Sequence, residues 1–207
     1  MYKGILFVIA AASGTGKTTL AKALLKQDLN LSASVSYTTR PMRSDEKDGK
    51  SYHFVSDDTF KELEDEGIFI ESATVYGYRY GTAKTAVDNI LANGKDVLLV
   101  LDWQGVAALK ASSDAVVSIF LLPPSVAALT ERLTQRGEQL GTKNSRQGTF
   151  YEDLQHCREC DYLVINDQFT KAVQEVMAVI DAERLKTSRQ AVKNTVLINS
   201  LLAEVQQ

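Results

Sequence analysis

The chain has 207 residues, 44% hydrophobic and 24% charged, with only 3 prolines. At roughly 150 residues per domain this is one domain, or one with a sizeable insert, and the composition excludes a disordered or collagen-like chain. Its formal charge of -3 supplies no global basic field, so neither nucleic acid nor a membrane surface is indicated as a partner, and any anionic ligand needs cations gathered locally.

The run Ile5-Leu-Phe-Val-Ile9 is β-branched and aromatic and apolar on both faces, as a central parallel strand is. It continues into Ala11-Ala12-Ser13-Gly14-Thr15-Gly16-Lys17-Thr18 and then a helical pattern, Thr18 to Gln27, with Leu20, Leu24 and Leu25 on one face. A glycine-rich turn between strand and helix, closed by Lys-Thr, is the pattern of a phosphate-binding loop. Gly14 and Gly16 let backbone N–H groups turn toward a β-phosphate, and the helix N-terminus adds about half a positive charge. Lys17 reaches the β and γ oxygens, and the Thr18 hydroxyl can ligate Mg²⁺. The pattern's first glycine is Ala11 here. The plain alternative is a strand-to-helix turn carrying a solvated lysine. The motif points to a nucleoside triphosphate and is silent about what receives the phosphate.

From about Ser34 to Thr85 the chain is rich in Tyr, Thr, Arg and Gly, with short alternating stretches, Tyr52-His-Phe-Val55 and Phe69-Ile-Glu-Ser-Ala-Thr-Val75. This predicts a small, partly β insert. Beyond it come strand patterns at Asp96–Leu101, Val116–Leu122 and Tyr162–Ile165 and helical patterns at Gly105–Ala111 and Pro124–Arg136. Strand and helix alternate, so the framework is α/β. Gly137 to Gly148 has a loop composition between two helices and is a candidate lid. The tail from Glu175 predicts one or two helices, with Val192, Val196, Leu197 and Leu201 at helical spacing. Packing against the core is their expected role, with a dimer contact the alternative.

Cys157 and Cys160, the only two cysteines, cannot make a disulfide framework, and no stretch reaches the roughly 18 to 20 apolar residues of a membrane span. The short run Ile5 to Ala12 lacks the flanks of an export signal, so a reducing cytoplasm is the expected compartment. The lone Cys-x-x-Cys is read as helix-end cysteines near the core, with a metal or redox site the alternative.

Ser36-Tyr-Thr-Thr-Arg40-Pro-Met-Arg43, Gly49-Lys-Ser-Tyr52, Phe69-Ile-Glu71, Tyr80-Gly81-Thr82 and Asp102-Trp-Gln-Gly105 follow the loop in order. With these pieces the sequence resembles guanylate kinase, from about Ile5 to Lys186. The resemblance implies a P-loop NTPase core around a five-stranded parallel sheet, with a small mixed α/β GMP-binding insert and a lid. The expected division is one domain: core at 1–33, 86–136 and 149–186, insert at 34–85, lid at 137–148 and a C-terminal helix at 187–207. The oligomeric state, monomer or homo-oligomer, stays open.

The implied reaction is Mg²⁺-dependent transfer from ATP to GMP or dGMP. An incoming monophosphate carries about two negative charges, and Arg40 and Arg43 offer forks that bind phosphate bidentately, with Tyr52 and Tyr80 as further donors. By resemblance these four hold the GMP phosphate. Glu71 would accept from guanine N1–H and the 2-amino group, with Ser36 and Thr82 beside it, and adenine lacks that donor pair. For each, the plain alternative is surface chemistry: a solvated arginine pair, two packed tyrosines, an exposed strand carboxylate. The GMP phosphate is already a nucleophile, so positioning and charge neutralisation must carry catalysis. Arg132, Arg136 and Arg146 match the family's arginines that converge on the transferring group. Arg132 and Arg136 are one helical turn apart, which is equally the spacing of a solvated basic face. Asn166-Asp167 matches the Asn-Asp near the adenine of ATP, with a turn as the alternative.

The family's Asp-x-Asp stands here as Val100-Leu101-Asp102, so Asp102 alone serves the magnesium and GMP side. The segment Glu138–Ser145 lacks the family's acidic run, and Ala11-Ala12 replaces Gly-Pro. Two other readings compete. A guanylate-kinase-like binding module typically loses the loop lysine, which Lys17 and Thr18 argue against. A kinase for a ribose bisphosphate would have no use for Glu71.

Overall fold

The computed structural model describes residues 3–75, 77–112, 115–135 and 146–205. In chain order the strands are β1 (Leu6–Ala10), β2 (Leu31–Ala33), β3 (Tyr37–Thr38), β4 (His53–Phe54), β5 (Phe69–Val75), β6 (Tyr78–Ala83), β7 (Asp96–Leu101), β8 (Val116–Leu122) and β9 (Tyr162–Ile165). The helices are α1 (Lys17–Gln27), α2 (Asp57–Asp65), α3 (Lys84–Ala92), α4 (Trp103–Ser112), α5 (Val126–Gln135), α6 (Arg146–Gln155), α7 (Phe169–Leu185), α8 (Thr187–Lys193) and α9 (Thr195–Val205), with a 3₁₀ turn at His156–Glu159.

Among the described residues β2-β7-β1-β8-β9 form a five-stranded sheet, parallel at every pairing. Because side chains alternate along a strand, β1 feeds two cores at once. Ile5, Phe7 and Ile9 join Leu20 and Leu24 of α1 and Val173, Val176 and Ile180 of α7 on one face. Leu6, Val8 and Ala10 join Val87 of α3 and Val106 and Leu109 of α4 on the other. This double covering explains why β1 reads as an unbroken apolar run and β8 as one interrupted only by the buried Ser118. The sheet order makes the expected α/β, P-loop-type core a finding.

A second sheet, β4-β3-β6-β5, is built wholly from residues 37–83 and is mixed: β3 runs parallel to β4 and antiparallel to β6. Helix α2 covers it with Phe60, stacked on Phe69 at 4.7 Å. Gly81 lies so close under these rings that a Cβ there would sit 2.9 Å from Phe69.

The structure departs from the sequence expectations in three places. Helix α6 begins at Arg146, inside the segment 137–148 expected to be loop, so Gly148 is helical despite its cost of about 1 kcal/mol. Residues 136–145 lie outside the described residues. Second, α8 and α9 do not bury their apolar positions: Val192, Val196, Leu197 and Leu201 are all exposed. Helical periodicity shows that a stripe exists, not that a partner lies within reach. Third, α2, α3 and β2 add elements the patterns did not mark.

Opposite the loop end of the sheet, Asp96 is fully buried and accepts from the Ile5 backbone at 2.7 Å and from Arg184 Nε at 2.7 Å. Arg184 also pairs with Asp28 at 2.7 Å. This ties the end of α7 to the starts of β1 and β7 and leaves the strands' C-terminal edge for ligands.

Candidate active site

At that edge β1 runs into the loop Ala11–Gly16. Gly14 has φ 84° and Gly16 φ 100°, values that L-residues rarely adopt. At Gly14 a Cβ would also stand 2.8 Å from Leu133 Cδ2. Ala11 and Ala12 are buried, Ala11 among the β1 core residues and Ala12 against Leu129 and Leu133, so methyl groups are accommodated where the family pattern has other residues. Thr15 is buried and its hydroxyl donates to Ala12 O at 2.9 Å. Lys17 Nζ donates to the carbonyls of Ala11 and Ala12, so its ammonium lies over the loop. Ser13 is half-buried in the same turn, and Thr18 is exposed in the first turn of α1, which carries no acidic residue.

Asn166 follows β9. Its side chain is buried and donates to Thr15 O at 2.7 Å, while its backbone carbonyl accepts from Arg132 Nη2 at 3.0 Å. The sequence matched Asn166 to a base contact; the structure gives its amide a second task, bracing the loop. Gly14, Gly16, Thr19, Arg132, Asn166 and Phe169 line an open cleft of about 430 Å³ beside the loop, within the range of small-ligand sites.

The mixed sheet gathers the other predicted residues in two groups. Glu71, on β5, is 5% exposed, not the surface carboxylate a strand pattern allows. Thr82 on β6 donates to Glu71 Oε1 at 2.6 Å, and Ser36 Oγ lies 2.9 Å from Thr82 Oγ1. Thr82 has one hydroxyl proton and gives it to Glu71, so Ser36 is the donor in the second bond. Burial, only partly offset by the Thr82 bond, pushes the Glu71 carboxyl up to about 7, and nearby Asp102 adds to the rise. Gly105 closes the other side, since a Cβ there would stand 3.1 Å from Glu71 Oε2.

In the second group Arg40 is boxed in. Its guanidinium carbon stands 5.7 Å from the ring centres of both Tyr52 and Phe54, and the Tyr52 ring meets Tyr80 edge-on at 5.9 Å. Burial opposes the charge on Arg40, but Glu46 and, to a smaller extent, Tyr80 raise its pKa overall, and burial raises that of Tyr52. Arg43 is exposed on the following turn.

Asp102 follows β7 and caps α4, its Oδ1 accepting from Gly105 N at 3.0 Å, which leaves Oδ2 for other partners. Val100, at the missing carboxylate, is 37% exposed on the same strand end. Arg136 and the side chain of Arg146 lie outside the described residues. Cys157 and Cys160 are free thiols, partly buried against the core. Among the described residues no three His, Cys, Asp or Glu assemble a metal site.

Sequence reasoning missed two acids. Asp153, on α6, is buried and pushed up to about 6, chiefly by burial, with Lys17 pulling the other way and Asp102 adding to the rise. Leu154 beside it packs on the Ala12 cluster, and His156 stacks on Trp103 at 3.7 Å, so α6 and the 3₁₀ turn after it bridge the loop and α4. Glu46 chelates Arg40 with both oxygens, at 2.7 and 2.9 Å. An acid at seven residues from Arg146, two helical turns, was the available signal for Asp153; Glu46 stands in a charged run, Asp45-Glu-Lys-Asp48, that reads as solvated.

A parallel sheet whose first strand delivers a left-handed glycine loop and lysine to a helix N-terminus defines a P-loop nucleotide-binding protein. Within that class, the guanylate kinase family model matches residues 3–183. The guanylate kinase of Nitrosospira multiformis is 42% identical over 199 residues, 96% of this chain and 95% of that one. That of Vibrio cholerae is 42% identical over 207 residues, 99% of this chain and 100% of the other. The crystal structure of guanylate kinase from Anaplasma phagocytophilum superposes with a TM-score of 0.77 at 32% identity, covering 91% of this chain and 90% of that one. The chain belongs to the guanylate kinase family.

Proposed function

We propose that this phosphotransferase moves the γ-phosphoryl group of Mg²⁺-bound ATP to GMP or dGMP through the two residue groups described above, in the purine nucleotide metabolism of the cytoplasm. It is a nucleoside monophosphate kinase using ATP and GMP. The assignment of roles rests above all on the buried Ser36–Thr82–Glu71 chain. A carboxylate held out of water by one hydroxyl, with its second oxygen uncommitted by any hydrogen bond among the described residues, suits a base edge that brings paired N–H donors. An analogue without them leaves the acid unpaired, a discrimination worth about 10⁴ to 10⁵.

On this reading residues 34–85 hold the acceptor, with Arg40, Arg43, Tyr52 and Tyr80 on its phosphate. Ala11–Thr18 cradle the donor phosphates and Asn166 flanks the cleft for the base. Lys17, Arg132, Arg136 and Arg146 spread the charge of the group in flight. The Thr18 hydroxyl and Asp102 Oδ2 are hard oxygen donors that suit Mg²⁺, with phosphates and water completing its shell. That ion would neutralise charge on the β and γ oxygens. Asp102 is already a helix cap, so its placement depends on α4 and not on the cation.

The test separates binding from chemistry. Arg40→Ala is expected to raise the KM for GMP by at least tenfold with the KM for ATP unchanged, and Arg132→Ala to lower kcat by about 10³. Equal effects of both variants on the two KM values would contradict the division of roles.

A further inference from the structure

Glu46 is an acid in the acceptor half that the reading above leaves without a task, although it is bonded to Arg40 itself. Its carboxylate takes Arg40 Nη2 on both oxygens, and its Oε2 also accepts the backbone N–H of Arg43 at 2.9 Å. The pair is well covered, with 12% and 14% of the two side chains exposed. Arg40 Nη1 donates to Pro41 O at 2.7 Å, and the Arg40 backbone N–H is held by Thr38 Oγ1 at 3.2 Å. Nη1 and Nη2 are thus both engaged by the turn, and the Tyr80 side chain also bonds to the guanidinium.

Two roles fit a carboxylate on a phosphate-binding arginine. It can sit where the phosphate goes and be displaced, or it can grip the guanidinium from behind and fix its direction. The backbone decides between them. Glu46 N donates to Arg43 O at 3.1 Å while Glu46 Oε2 accepts from Arg43 N. The acid thus sits in the turn that carries Arg43, and to swing aside its carboxylate must give up the Arg43 N–H as well as Arg40. It remains in place and fixes the direction in which the Arg40 guanidinium faces a ligand.

We propose that Glu46 is a positioning residue for acceptor-phosphate recognition: it fixes the Arg40 guanidinium and the Arg43 backbone in one rigid turn, so that the phosphate of GMP meets a pre-aligned fork. This rests on the reading that Arg40 binds that phosphate. Arginine loses substantial rotamer freedom when it is immobilised, and a fork aligned before binding spares the ligand that cost. Burial opposes the charge on Arg40, yet the Glu46 bond and charge raise its pKa overall, and the same bond holds the Glu46 carboxyl below the usual range. The pair therefore stays ionised across the neutral range.

The experiment is a double-mutant cycle with Glu46→Gln and Arg40→Ala, reading the KM for GMP, the KM for ATP, kcat and Tm. Glu46→Gln keeps the shape and one acceptor but loses the charged chelate. The expected result is a KM for GMP raised about tenfold, the KM for ATP and kcat within twofold, and Tm unchanged. In the Arg40→Ala background the same change is expected to add less than twofold. A lower KM for GMP would make Glu46 a competitor and overturn the proposal. So would a rise in both KM values with a lower Tm, which marks a structural role, or full additivity with Arg40→Ala. If Arg40→Ala itself leaves the KM for GMP unchanged, the phosphate role of Arg40 falls first and takes this inference with it.

Discussion

Glu71 shows how one residue couples recognition to stability. Its carboxyl is raised to about 7, so the folded protein holds this proton more tightly than the unfolded chain does. The sign follows: stability is highest below the ordinary glutamate pKa and falls as pH rises toward 7, by about 3 kcal/mol at 1.36 kcal/mol per unit. On the proposed reading guanine's donors would favour the ionised form, so the acid is destabilising until that ligand arrives. Glu71→Gln removes the titration while keeping an acceptor for Thr82. In thermal melts without nucleotide, the variant is expected to match the parent near pH 5 and to exceed it by several degrees at pH 8. Asp153 titrates in both proteins and cancels. A pH-independent gap between the two would contradict this account of the buried acid.

Among the elements, β7 carries both what the sequence made plain and what it removed. Its bounds, Asp96–Leu101, agree with the apolar pattern, as do those of β8 and β9. Strands buried on both faces, as β7 and β8 are over most of their length, leave long apolar runs, whereas β9 is an edge strand with Leu163 and Ile165 exposed. The missed elements lack such runs. Strand β2 is three residues at the sheet edge, and α2 buries only Phe60 within an acid-rich stretch capped by Ser56. The site was legible where motif and context coincide, at Gly14, Gly16 and Lys17. Glu71 and Asn166 were named only through the resemblance: alternation does not say which face of β5 is covered, so the burial of Glu71 was not legible, nor was the bond of Asn166 to Thr15, which is remote in sequence. Val100 stands two residues before Asp102, and its exposure leaves room for a carboxylate. Val100→Asp is expected to lower the KM for GMP severalfold, as read in steady-state kinetics; an unchanged or higher value would show that this strand end does not limit acceptor binding.

At the scale of the whole molecule, the two edges of the parallel sheet have separate duties. One is closed by the Asp96–Arg184–Asp28 network, and the other presents the loop, Asp102 and Asn166. The mixed sheet brings Glu71 within electrostatic reach of Asp102, which on the proposed reading faces the acceptor toward the donor cradle. On the proposed reading Lys17, Arg40, Arg43 and Arg132 supply locally the cations that two phosphate groups need in a chain of net charge -3. The most direct test of this arrangement is ADP release in a coupled assay with ATP as donor, comparing GMP with AMP on the unaltered protein and on Lys17→Ala. The account predicts turnover of GMP with kcat/KM at least about 10⁴ above that of AMP, and a loss of about 10² to 10³ in kcat for Lys17→Ala. Equal use of GMP and AMP, or full activity without the Lys17 ammonium, would contradict it.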